Sequence, residues 1–180
     1  MPADPPPTED GWLTILGTFA LKLDIQAFVP GPFQAHGQIE MWREGSIIRL
    51  RAQGPFNREA VLGLARAMAD LLRADPPPAD ASGTPGRFGD LLEVSGSMIT
   101  SPDSMAEMER FLRHMAALGQ APVAIAYVVT PDVEGRDIML PLIEAMYQRQ
   151  GRRFGAFETL ADARVWMQEQ LDLVAETHSR

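Results

Sequence analysis

DLLEVSGSMITSPDSMAEMERFLRHMAALG, residues 90–119, is the stretch that decides the fold. Leu91, Leu92 and Val94 make a short apolar run of the kind a buried strand needs, and Ser95 to Thr100 turn the chain. From Ser101 onward apolar residues return at Met105, Met108, Phe111, Leu112, Met115 and Leu118, the stripe of a helix lying on a sheet. Ser101 suits the N-cap, Pro102 the first helical position, and Asp103 the positive end of the helix dipole. Gly119 is a natural stop. A strand that feeds a helix N-terminus in this way offers a place for an anion or a phosphorylation switch.

Upstream, residues 1–10 (MPADPPPTED) are acidic and proline-rich and read as a disordered tail. Strict alternation at Phe19, Leu21, Leu23, Ile25 and Ala27 predicts a half-buried strand, with Trp12 to Leu16 pairing to it across Gly17-Thr18. Residues 11–35 thus form an N-terminal strand or hairpin extension, which Pro30-Gly31-Pro32 separates from the rest. Its apolar face must pack on the core or on another chain, and two such edges meeting would give a symmetric homodimer. Gln38 to Trp42 and Ile47 to Ala52 read as a hairpin joined at Glu44-Gly45. Gly54-Pro55 ends it, and Asn57 caps a helix with Val61, Leu64, Ala65, Met68, Leu71 and Leu72 inward. Residues 74–87 (ADPPPADASGTPGR) form a long Pro/Gly-rich loop.

Downstream, Val123 to Val129 is a continuous apolar strand with both faces covered. Asp137 is placed as the cap of a third helix carrying Met139, Leu142, Ile143 and Met146, with Pro141 in its first turn. Phe154 to Phe157 is a last short strand. Thr159 with Asp162 opens a final helix with Leu160, Ala163, Met167, Leu171 and Val174 inward, fraying after Ala175. The fold class is therefore α/β. A mixed, mostly parallel sheet of about five or more strands is covered by four helices, with the N-terminal strand added.

Apolar residues are 46% of the 180, enough for a sizeable core, and the formal net charge is -8. That charge disfavours nucleic acid, which needs a basic face. With no cysteine, disulfides, thiolate metal sites and a thiol nucleophile are excluded, and a cytoplasmic location is compatible. The N-terminus lacks the basic start of a signal peptide, and no apolar run reaches the ~20 residues of a membrane span, so stable membrane insertion is not expected.

HGQIEMWREGSIIRLRAQGPFN at 36–57, the strand, loop and helix at 90–119, and FGAFETLADARVWMQEQL at 154–171 together resemble the STAS-like superfamily. The nearest branch is that of the small bacterial anti-sigma-factor-antagonist-like (SpoIIAA-like) proteins, related in fold to lipid-transfer CRAL-TRIO domains. The resemblance covers residues 36–175, including the closing helix with Ala163 and Trp166. It implies a non-enzymatic, regulatory domain that binds a protein partner without a cofactor. In that family a Ser or Thr in the loop before the second helix is phosphorylated. Aligned without gaps, the Asp-Ser-Ser-Gly of that loop falls on Pro102, Asp103, Ser104 and Met105, so Asp103 stands where the modified serine would be. Thr100, Ser101, Asp103 and Ser104 are the candidate partner-binding or switch residues, although helix capping alone would justify Ser at such a site.

Other chemistry is weakly signalled. His36, His114 and His178 are too far apart in sequence to suggest a metal site, and none is expected. GTPGRFG at 83–89 precedes a strand, whereas a phosphate loop follows one. Arg149, Arg152 and Arg153 read as a cationic helix end. The many methionines at helical spacing read as core, yet with the 74–87 loop as a lid they also raise a small apolar-ligand or lipid carrier as the alternative function. An enzyme would need Asp90, Glu93, Asp103, Asp132 or Glu134 to converge in a cleft.

Overall fold

The structure, a computed structural model, describes residues 21–79 and 86–178. Six strands form one sheet in chain order: β1 (Leu23–Asp24), β2 (Gln38–Glu44), β3 (Ile47–Gln53), β4 (Gly89–Ser95), β5 (Ala124–Val129) and β6 (Arg153–Phe157). The pairs from β1 to β3 are antiparallel and those from β3 to β6 parallel. Four helices follow the parallel strands: α1 (Arg58–Ala74), α2 (Pro102–Ala117), α3 (Arg136–Arg149) and α4 (Leu160–His178). The sheet is thus the mixed, mostly parallel one expected, with all four helices. Among the described residues no helix is long and apolar enough to cross a membrane.

Strand alternation divides the core. Ile48, Leu50 and Ala52 of β3 face α1, and Val94, Ile125, Tyr127 and Val129 face Leu112 of α2 and Met139, Ile143 and Met146 of α3. On the other face Ile47, Leu91, Ala124 and Ala126 meet Ala163 and Met167 of α4. Right-handed crossovers between strands laid down in order put every connecting helix on the same side, and only the helix after β6 is free to cross to the other.

Local capping follows the side-chain chemistry at three helices. Asn57 Oδ1 accepts from the Ala60 amide at 3.1 Å, and Ser101 Oγ from the Ser104 amide at 3.2 Å. Thr159 Oγ1 accepts from the Asp162 amide at 3.2 Å. The helix expected from Asp137 begins earlier. Gly135, at φ 73°, is its N-cap and no side chain caps it, so Asp137 lies in the first turn and Pro141 inside the helix. The hairpin turn is Gly45-Ser46, one residue later than expected, because Glu44 pairs with Ile47. The last helix runs on past Ala175 to His178.

The largest correction concerns the alternating segment. Among its described residues Leu23 and Asp24 pair with β2, and the chain then winds into a 3-10 turn at Ile25–Phe28. Asp24 Oδ1 caps that turn by accepting from the Gln26 amide at 2.9 Å, a local bond that competes with strand continuation. Gln26 Nε2 donates to the Gly37 carbonyl at 2.8 Å and closes the loop that follows. Ile25 is thereby driven fully into the core beside α1, where Gly63 gives it room: a methyl at Gly63 would stand 3.0 Å from the Ile25 carbonyl oxygen. The expected disordered tail, the pairing of Trp12 to Leu16, Phe19 and the middle of the 74–87 loop lie outside the described residues.

Ile25→Ala is expected to lower stability by about 2–5 kcal/mol, the usual cost of emptying a buried aliphatic site, as measured by urea unfolding. Removal of residues 1–32 takes Ile25 with it. Light scattering and circular dichroism should then find aggregation, and a soluble folded monomer would show that the segment is dispensable.

Candidate functional site

The loops after β3, β4 and β5 meet at one edge of the sheet and are tied by main-chain bonds. The Gly54 amide donates to the Ser95 carbonyl at 3.2 Å, and the Phe56 amide to the Ile99 carbonyl at 3.3 Å. On the other side the Met98 amide donates to the Glu134 carbonyl at 2.8 Å, and the Glu134 amide to the Gly96 carbonyl at 3.0 Å. Residues 96–101 therefore continue the sheet pairing in both directions beyond the end of β4. Ser97, buried, tightens the turn by accepting from the Ile99 amide at 3.2 Å.

Three of the four expected residues have bonded hydroxyls around the start of α2, Ser101 and Ser104 with each other and Thr100 with the loop after β3. Thr100 Oγ1 donates to the Phe56 carbonyl at 3.0 Å. Ser101 Oγ caps the helix and lies 2.9 Å from Ser104 Oγ, and Ser104 is buried at 1% exposure. Asp103 is apart from these bonds and exposed. Beside them stand residues that sequence reasoning missed. Ile99 is 46% exposed, and on α3 Ile138 and Leu142 are 70% and 53% exposed. Leu142 was expected inside, whereas the inward face of α3 is Met139, Ile143, Met146 and Tyr147. A signal existed: Ile138 to Leu140 followed by Leu142 and Ile143 is too continuous an apolar run for one helix face.

Behind the loop lies an apolar cavity of about 80 Å³, lined by Met98, Met105, Met108, Tyr127 and Met146 among others. Small-molecule pockets run to roughly 300 Å³ or more, and the groove of about 720 Å³ that reaches this size is lined by Gln26, Gln34, Gln38 and Gln53 and not by the methionines. Among the described residues no group of His, Asp and Glu could hold a metal ion. The five carboxylates considered for catalysis do not converge. Asp103, Asp132 and Glu134 are exposed at this edge, Asp90 starts β4 at the opposite edge, and Glu93 faces the α4 side in an ion pair with Arg49. The Thr130 hydroxyl and its own amide hold the Asp132 carboxyl below the ordinary range. His114 is exposed on α2.

Among the described residues, Asp90 is a carboxyl in an apolar setting. It sits between Ile48 and Ile125 in the sheet, and its Oδ1 is closed to solvent with no hydrogen-bond partner. Burial pushes its pKa up to about 7 from 3.8. Burial also pushes Tyr127 up to about 12, and its hydroxyl lies 3.4 Å from that of Tyr147.

A folded-state pKa above the unfolded one means that the folded chain binds the proton more tightly. Stability from this group is complete below pH 4 and is lost as pH rises through 7. At ~1.4 kcal/mol per pH unit the loss is on the order of 4 kcal/mol. Asp90→Asn should therefore be more stable than the parent at pH 8, with the difference vanishing near pH 4. Parallel pH profiles in chemical denaturation would contradict this. At the helix start, Ser101→Ala should cost about 1 kcal/mol through the lost cap, and Asp103→Ala about 0.5 kcal/mol through the dipole. A larger loss for Asp103 in thermal melts would count against this capping assignment.

Comparison with protein-family models, curated proteins and solved structures returns no match for this chain.

Proposed function

We propose that this chain is a cytoplasmic, non-enzymatic regulatory module of STAS-like type that binds another protein through residues 96–101 and the N-terminus of α2. The observation that carries this reading is the loop's preorganisation. It is bonded through its main chain on both sides and offers an exposed Ile99, with an exposed Asp103 in the first turn of the helix that follows. A surface already ordered loses little entropy when a partner docks, and an apolar anchor with a neighbouring charge supplies both burial and orientation. The net charge of -8 suits a partner other than nucleic acid.

The hydroxyl switch implied by the resemblance is replaced in this reading by a constant charge at Asp103. Thr100, Ser101 and Ser104 have their hydroxyls in bonds that hold the helix start. Phosphate on Ser104 would require a buried oxygen to leave its site.

Capture from native lysate with the parent chain and with an Ile99→Asp/Asp103→Arg variant tests the surface. A partner held by the parent and lost by the variant, with an unchanged circular dichroism spectrum and a melting temperature lowered only by the small dipole loss at Asp103, is the expected result. No partner, or the same one captured by both, defeats the reading. Phosphopeptide mass spectrometry over residues 95–110 should find Thr100, Ser101 and Ser104 unmodified, and stoichiometric phosphate on any of them would reinstate the switch.

A further inference from the structure

Helix α3 is apolar on more than its buried face. Ile138, Leu142 and Ala145 recur at the four- and three-residue spacing that places side chains along one flank. Arg149 is next on that stripe, and it pairs with Glu109 of α2. The stripe therefore approaches α2 at its carboxyl end, and along it Ile138 and Leu142 are 70% and 53% exposed. Ile99 continues the apolar surface at its upper end, lying against Gly135.

Charge along this flank is segregated. Its amino end has Asp132, Glu134 and Asp137, all exposed, and Asp137 meets only the neighbouring Arg136, at 3.3 Å. Its carboxyl end has Arg149 and Arg113 sharing the single carboxylate of Glu109, which leaves one positive charge in excess. A simple basic helix would complement only the first end. A second α3 laid antiparallel complements both, because each acidic end meets a cationic one.

We propose that this flank of α3 pairs two copies of the chain about a two-fold axis. Placed between Leu142 and Ala145, the axis sets Leu142 of each copy against Ala145 of the other. Ile138 then faces the aliphatic stem of Arg149 from the second copy, whose guanidinium reaches Asp137. An isologous contact of this kind makes each pairing twice, so a modest apolar stripe and one charge pair are doubled in effect. The pairing uses none of the hydroxyls at the start of α2, nor Asp103, and it does not require Ile99, which borders the flank at its upper end.

Sedimentation velocity on the full chain from micromolar to millimolar concentration tests it. The parent should dimerise. Leu142→Glu should be monomeric with an unchanged melting temperature, since Leu142 supports no core contact. Asp137→Arg and Arg149→Glu should each weaken the dimer by about tenfold or more, and the two together should restore it. A parent chain monomeric throughout overturns the proposal, as does a dimer indifferent to Leu142→Glu. A monomeric parent that still captures its partner through Ile99 would sink this contact and leave the loop reading standing.

Discussion

The parallel pairing of β4 with a strand on each side is the constraint from which the rest follows. Residues 47–53, 89–95 and 124–129 are hydrogen-bonded in step, so both faces of the middle strand must be covered. Leu91 is wholly buried on one face and Val94 nearly so on the other. Parallel neighbours cannot be joined by tight turns, and each needs a crossover. The crossovers bring three loops to one edge and three helices to one side. The candidate site is thus a product of sheet topology before it is a product of any particular side chain.

The face opposite α1 buries a charge. Arg49 of β3 is 2% exposed there, and Arg164 of α4 reaches past it to Glu44 of β2. Arg49 is held by Glu93 and by Glu44, and Trp42 lies over it with 5.5 Å between guanidinium and ring. A buried guanidinium is tolerable when its charge is paired and its face stacked. Burial alone would raise the Glu44 pKa, yet the Trp42 indole N–H, Arg164 and the Arg49 charge together hold it below the ordinary range. The network therefore keeps its carboxylate ionised, whereas Asp90, lacking a cation, is driven toward its neutral form.

Most of the fold was legible because its signals are local or periodic. The α2 start could be read from Ser101 and Pro102, and the sheet from apolar runs separated by helical stripes. What could not be read depends on contacts distant in sequence. Ile25 alternates like a strand residue, but Asp24 caps a turn and α1 offers a recess, so the chain bends inward. The start of α3 is set by Gly135 against Ile99, which lies 36 positions earlier in the chain by residue number (135 − 99). For the site, the hydroxyl residues were found by spacing, whereas the exposed Ile99 and Leu142 were not. Nothing in a helical stripe says which of two apolar flanks faces the sheet until the neighbouring helix is placed.

Gly135 couples the loop after β4 to the start of α3. Its φ of 73° is one that side chains seldom adopt, and a β-carbon there would lie 2.6 Å from Ile99 Cγ1. The missing side chain therefore serves two ends at once. It lets α3 begin without a side-chain cap, and it lets the β4 loop close against the β5 loop so that the Met98 and Glu134 main chains can bond. Any larger residue would displace Ile99 or lift the start of α3, and with it the relation between the loop surface and the flank bearing Ile138. The main-chain bonds between Met98 and Glu134 thus fix where the loop bearing Ile99 meets the start of the helix bearing Ile138.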